Sequence, residues 1–398
     1  MKIYFSALAV LFLVSFTSVH AQTIKTDVLV AGGGAVGAGA GIQAAHSGVK
    51  ALLLVESPQP GNEISTIDSG NNLGLNAEII LHSRKNPEKS ISEIVKSWTD
   101  TVKNLTVITG AKIKSVKKSG NRWVVKLDNG KKIKALFLVG SDASLLTNAG
   151  LSNKADTRIS AGEFTSRNLY SNKLYRTSVP VSATGNTLNT APLGSLIPNG
   201  SENFILLPSG DSGSSAGLIA GQSAGAAAAY CAFFKTNTNN INVRVVQGEL
   251  LNYKSELIHL SDVNSADSNY AAIQHIAATG ILKGVSANGS LSFMPGKTVT
   301  VEEVREPVKE YYSRSQIWFA DHITGELTLD DVLSLIRFSG NRGNELNREV
   351  EKAWRSSFMF NTSFDLKRPV TRREFAVLID TYLKPFSVRV DLTGRLLY

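Results

Sequence analysis

The chain has 398 residues, 42% of them hydrophobic, with a formal net charge of +9, one cysteine and six histidines. That length suits two or three domains. A single cysteine excludes an intrachain disulfide and a redox-active thiol pair, and the scattered histidines give no metal-ligand spacing. Much of the positive charge sits in Lys112 to Lys134, where Lys alternates with Val and Ile as on a solvated strand face, so no nucleic acid is expected as partner.

Residues 1–21 read as a secretory signal. Lys2 supplies a short positive region, Tyr4 to Val14 an apolar core, and Val19-His20-Ala21 the small residues of a cleavage site. The expected mature chain starts near Gln22 and is exported, to the periplasm or outside the cell. A membrane anchor is the competing reading, but Ser15, Thr17 and Ser18 cut the apolar stretch short of the ~20 residues a span needs. No later segment is expected to cross a membrane.

The most informative segment is Thr26 to Glu56. Asp27 to Ala31 is an apolar run of strand length. Gly32, Gly34 and Gly37 follow it as G-x-G-x-x-G, with Gly33 and Ala35 between them. A small-residue helix runs on to His46, a second strand covers Ala51 to Val55, and Glu56 closes the unit 24 residues after Gly32. Gly32 permits a tight turn, Gly34 lets backbone approach a pyrophosphate, and Gly37 lets the helix pack close to the strand. The helix N-terminus offers free N–H groups and a positive dipole end to phosphate, and an acid at Glu56 suits a ribose hydroxyl. The order predicts adenine-dinucleotide binding; a Rossmann-like unit without a ligand is the alternative.

Ser57 to Gly61 and Ser69 to Asn72 read as loop. Ser90 to Lys103 has helical spacing, with Ile91, Ile94, Val95 and Trp98 on one face. Leu105 to Ile108 is a short strand. Lys112 to Lys134 is a hairpin turning at Asp128-Asn129-Gly130, and Ala135 to Gly140 is a buried strand. Residues 151–200 are polar with few strong elements: a small substrate-facing region or a connector. Phe204 to Leu207 reads as a strand ended by Gly210-Asp211, and Gly217 to Tyr230 as a helix of small residues. Cys231 is expected to be a small buried apolar residue.

Three motifs, Gly32 to Gly37 with Glu56, Val139-Gly140-Ser141-Asp142, and Gly210-Asp211 with Gly221 to Ala229, resemble the FAD-dependent oxidoreductases of the glutathione-reductase-like fold. More narrowly they are similar to a secreted bacterial group often labelled xanthan-lyase-like. The resemblance spans about residues 25–235. It implies an α/β fold, a Rossmann-like FAD-binding domain with a β-meander over residues 22–240, and FAD as cofactor. The pyrophosphate would lie at Gly32, Gly33, Gly34, Ala35 and Gly37, the adenosine ribose at Glu56, and the ribityl or pyrophosphate region near Asp211, with Asp142, Gly210 and Gly221 in the later motifs. The sequence departs from the family at Val139 to Asp142, commonly A-T-G-D, and after Asp211, where an arginine is common. No residue takes a catalytic role.

The C-terminal part carries a repeat. Leu291 to Glu303 and Thr362 to Glu374 share the spacing from Phe293 to Thr300 and from Phe364 to Thr371, and each enters a helix through a Thr cap and an acid three residues on. With Ala277 to Gly284 and Thr371 to Ala376, this resembles S-layer homology repeats. The resemblance implies a mainly helical domain over residues 250–398 that binds envelope polysaccharide; packing against the rest of the chain is the other reading. Phe293, Phe364, Phe375 and Leu378 are expected in its core. Taken together these features predict an exported FAD-binding oxidoreductase acting on a small molecule, a sugar or envelope component among the options. A non-enzymatic envelope protein on a degenerate dinucleotide-binding scaffold and an NAD-dependent enzyme remain as alternatives.

Overall fold

The computed structural model describes residues 23–142, 144–151, 158, 160, 162–185, 187–207 and 213–398. The segment read as a signal therefore lies outside the described residues, as do Gly210 and Asp211.

The first half is a mixed α/β unit around a parallel sheet. Its elements are β1 (Thr23–Ala31), α1 (Gly34–His46), β2 (Ala51–Val55), α2 (Gly74–Lys85), α3 (Ile91–Thr101), β3 (Leu105–Thr109), β4 (Ile113–Ser119), β5 (Arg122–Leu127), β6 (Lys132–Gly140) and α4 (Ser144–Ala149). A hairpin of β7 (Ser178–Thr184) and β8 (Thr187–Pro192) follows, then β9 (Phe204–Leu206) and α5 (Gly217–Phe233). The strands run β3-β2-β1-β6, all parallel, and β6 then forks. Its first part, Lys132 to Ala135, pairs antiparallel with β5; its last, Leu138 to Gly140, pairs parallel with β9. β2 is apolar at every position and buried throughout, because helices cover one face of the sheet and the β4–β5 meander with α4 the other.

Small residues let the two central helices meet at close range. A Cβ on Gly221 of α5 would stand 2.1 Å from the Val36 carbonyl oxygen of α1, and one on Gly225 would stand 2.4 Å from that of Ala40. Helix α2 lies in a stretch with no expected element. It buries Leu75, Ile79 and Ile80, and its first turn is completed from outside, where Leu75 N donates to Gln222 Oε1 at 3.2 Å.

The second half is mainly helical. It contains α6 (Val243–Asn252), α7 (Tyr270–Thr279), the small pair β10 (Val285–Ala287) and β11 (Ser290–Ser292), α8 (Val301–Tyr311), α9 (Ser315–Asp321), α10 (Leu329–Gly340), α11 (Glu345–Ser356), α12 (Arg372–Tyr382), and a final pair β12 (Arg389–Val390) and β13 (Leu396–Leu397). Three short segments meet through bridges Thr298 to Thr371, Thr300 to Glu326 and Thr328 to Pro369. Each leads into a helix whose Thr side chain accepts from the N–H three residues on: Thr300 from Glu303, Thr328 from Asp331, Thr371 from Glu374. The sequence shows two of these starts; the third, at Thr328, lacks the preceding aromatic residue that marks the others. Phe293, Phe375 and Leu378 are fully buried, whereas Phe364 is half-buried against the core.

The halves share one apolar core and a polar clamp. Arg176, 2% exposed, donates through Nη1 at 3.0 Å and Nη2 at 2.5 Å to the two carboxylate oxygens of Glu310 on α8. Its Nε donates to the Tyr175 hydroxyl at 3.2 Å.

Candidate functional site

In a sheet ordered β3-β2-β1-β6, the chain leaves β1 to one side and reaches β6 on the other. The carboxyl ends of these two strands therefore frame a crevice, the usual ligand position in open parallel sheets. The glycine turn closes β1 there. Gly32 N donates to Leu54 O at 3.0 Å and Ser141 N to Ala31 O at 3.2 Å, fixing the turn between β2 and the end of β6. Gly32 and Gly34 have φ of +142° and +68°, which side-chain-bearing residues rarely adopt. A Cβ on Gly32 would stand 1.8 Å from Ser141 Oγ, and one on Gly37 would stand 2.1 Å from the Gly32 carbonyl oxygen. The turn admits no side chain at either position.

Helix α1 starts at this turn with no capping side chain and no acid in its first turn. Its leading N–H groups and the positive end of its dipole are left for an incoming anion. The cleft in front measures about 570 Å³ and is lined among others by Gly32, Gly33, Glu56, Glu63, Ser141 and Asp142. Gly34 and Ala35 are buried in the first helical turn behind it. Glu56 stands exposed at the end of β2 on the cleft wall. Asp142 uses Oδ1 to accept from Ser144 N at 2.8 Å, so one oxygen caps α4.

One of the residues anticipated for the site sits differently. Gly221 does not line the cleft: it is buried where α5 crosses α1, and its missing side chain serves that close crossing. Gly210 and Asp211 fall outside the described residues. The chain on either side of them leads to the cleft region: Leu207 N donates to Gly140 O at 2.8 Å, and Ser65 N to Gly213 O at 2.9 Å.

Glu63 is the residue that sequence reasoning missed. A Cβ on Gly33 would stand 2.5 Å from its Oε1, so the carboxylate rests on the glycine turn. It comes from the loop after β2, where no periodicity marks it. Behind this loop Ser215 Oγ donates to Asn76 Oδ1 at 2.6 Å and accepts from Asp68 N at 2.8 Å, while Asn76 Nδ2 donates to Asp68 O at 2.8 Å. This buried chain of bonds ties residues 66–76 to the start of α5. No cluster of His, Cys, Asp and Glu among the described residues could hold a metal ion, and no helix among them is long and apolar enough to cross a membrane.

No protein-family model matches the chain, and no curated protein matches it. Among solved structures, a cyclohexanone monooxygenase is 18% identical over 30% of this chain and 26% of its own, with a TM-score of 0.25. A p-nitrophenol 4-monooxygenase from Pseudomonas putida DLL-E4 is 13% identical over 36% of this chain and 46% of its own, at 0.24. Bacillithiol disulfide reductase of Staphylococcus aureus is 16% identical over 30% of this chain and 39% of its own, at 0.22. In each case the chain spans less than half of the other protein. Likenesses this weak carry no argument about activity, which has to come from the cleft itself.

Proposed function

We propose that the protein is an FAD-binding oxidoreductase whose cofactor lies in the cleft between β1 and β6. The observation that carries this reading is the bare N-terminus of α1 behind a turn closed to side chains at Gly32 and Gly37. The residues present fit the group. The α1 N–H groups would hold the pyrophosphate, Glu56 the adenosine ribose, and the free oxygen of Asp142 a hydroxyl further along the chain. Bound flavin would supply the electron or hydride transfer; the chain's residues bind it and shape its surroundings. Flavin is preferred to NAD because the meander and a further strand–helix unit follow the fingerprint, the order of the resembled family. The substrate proposed is a small molecule, a sugar or envelope component, met after export directed by residues 1–21.

For the C-terminal half we propose a packing role in place of glycan binding. Arg372, the first arginine of the segment that resembles S-layer repeats, is fully buried. It donates to Phe293 O at 2.5 Å and to Lys283 O at 2.6 Å and pairs with Glu303. A guanidinium buried in this way is out of reach of a glycan.

The test is the visible absorption spectrum of the purified protein before and after incubation with FAD and removal of the excess. Retained flavin near one per chain supports the reading. A colourless protein that keeps none after incubation contradicts it and returns weight to a non-enzymatic scaffold.

A further inference from the structure

The loop between β2 and α2, residues 56–73, holds no helix or strand and exceeds the about 12–15 residues beyond which such loops are usually functional or disordered. Its middle is nevertheless fixed. Ser65 N donates to Gly213 O and Ser215 N to Thr66 O, both at 2.9 Å, and Thr66 and Ser214 form a parallel bridge. These bonds lay residues 65–68 beside the chain that enters α5.

Two side chains, both fully buried, fasten that pairing from behind. Ser215 Oγ accepts from Asp68 N at 2.8 Å and donates to Asn76 Oδ1 at 2.6 Å. Asn76 Nδ2 donates to Asp68 O at 2.8 Å and to Asn71 O at 2.5 Å. The two carbonyls need N–H groups and the hydroxyl needs an oxygen, a combination that a side-chain amide supplies and a carboxylate of the same shape does not. A buried network with every member satisfied is rigid.

Its place in the fold gives this rigidity a use. The cleft begins at Glu56 at the end of β2, crosses the glycine turn at the end of β1 and continues to Ser141 and Asp142 beyond β6. The next strand in that direction is β9, whose chain goes on towards Gly213. Glu63, two residues ahead of Ser65, rests on Gly33. With the adenosine at Glu56 and the pyrophosphate at the turn, the rest of the cofactor leaves towards β6 and β9, where residues 65–68 and 213–215 pair. Resting on that reading of the cleft, we propose that Ser215 and Asn76 are positioning residues for the flavin half of FAD. Being buried, they reach no ligand themselves; they hold the paired segments as a wall for it.

The experiment compares FAD and ADP affinities by calorimetric titration of the parent protein, Ser215→Ala and Asn76→Asp, with Ser223→Ala as control. ADP reads the glycine turn and Glu56 alone, so the ratio of FAD to ADP affinity reads the flavin half. Ser223 is equally buried on the same helix, but its Oγ donates to Pro180 O at 2.6 Å, away from the loop. The ratio should fall about tenfold in Ser215→Ala and at least as far in Asn76→Asp, with ADP affinity unchanged in both and the ratio unchanged in Ser223→Ala. Thermal unfolding without ligand confirms that each variant is folded, and Ser215→Ala carries the test if Asn76→Asp is not. A parent-like ratio in Ser215→Ala, or the same fall in Ser223→Ala, would overturn the proposal while leaving the cofactor reading in place. A parent protein that binds neither FAD nor ADP would overturn both.

Discussion

Two carboxylates on the cleft have opposite expected effects. Glu56, exposed at the end of β2 on the cleft wall, is proposed to accept from ribose hydroxyls, and its charge would strengthen those bonds. Glu56→Ala should weaken FAD by about 1–3 kcal/mol, read by fluorescence titration. Glu63 rests on the glycine turn where the proposed pyrophosphate would come, and like charges repel there. It is exposed and makes no hydrogen bond among the described residues, so it can swing aside at little cost. Glu63→Gln should therefore tighten FAD by a few fold, on the order of 1 kcal/mol in low salt, with the gain fading as salt is added. Equal losses in both variants would mean the carboxylates act through folding and not through the ligand.

At the scale of elements, the crossing of α1 and α5 sets how the glycine turn is held. A Gly→Ala change inside a helix ordinarily stabilises by about 0.5–1 kcal/mol. At Gly221 the new Cβ would meet the Val36 carbonyl oxygen at 2.1 Å, so Gly221→Ala should instead cost about 1–3 kcal/mol in urea unfolding. Gly248 of α6 has nothing within 4 Å of its Cβ position, and Gly248→Ala should stabilise. If both changes act alike, the close crossing is not what those glycines provide. The fingerprint unit, the meander and β9 are legible in the sequence because each couples a strong periodicity to a glycine or Asp-Asn-Gly turn. Helix α2 is not legible, because its N-terminal turn is completed by Gln222 from 147 residues away. Helix α11 carries a readable stripe, Leu346, Val350 and Trp354 at intervals of four, that the repeat pattern on either side obscures. The role of Gly221 and the position of Glu63 are tertiary facts: one depends on which helix crosses α5, the other on how an unpatterned loop folds back.

For the whole molecule, the clamp between Arg176 and Glu310 links the α/β half to the helical half. Hydrogen bonds from Arg176, against the opposing effect of burial, and then from Lys173 bring the Glu310 carboxyl down to about 2. Its folded value lies below its ordinary 4.5, so the stabilisation is present above about pH 4.5 and is lost as pH falls towards about 2. Glu310→Gln should cost about 2 kcal/mol at neutral pH, less than a fully buried pair because the Glu310 side chain is 35% exposed, and should flatten the stability curve across that acid window. Thermal unfolding across pH checks this; an unchanged acid limb would remove the clamp from the account. The shared core and the clamp should make the two halves unfold together, as one transition in the same experiment.

The most direct test of the central claim, that the turn from Gly32 to Gly37 binds the pyrophosphate and adenosine of a dinucleotide, is a side-by-side titration of the purified protein with FAD, FMN and riboflavin, with ADP as competitor. The cleft described here predicts that FAD binds tightest by a wide margin, that ADP displaces it, and that Gly37→Val abolishes the difference. FMN or riboflavin binding as well as FAD, or FAD binding indifferent to ADP, would contradict the assignment of this cleft.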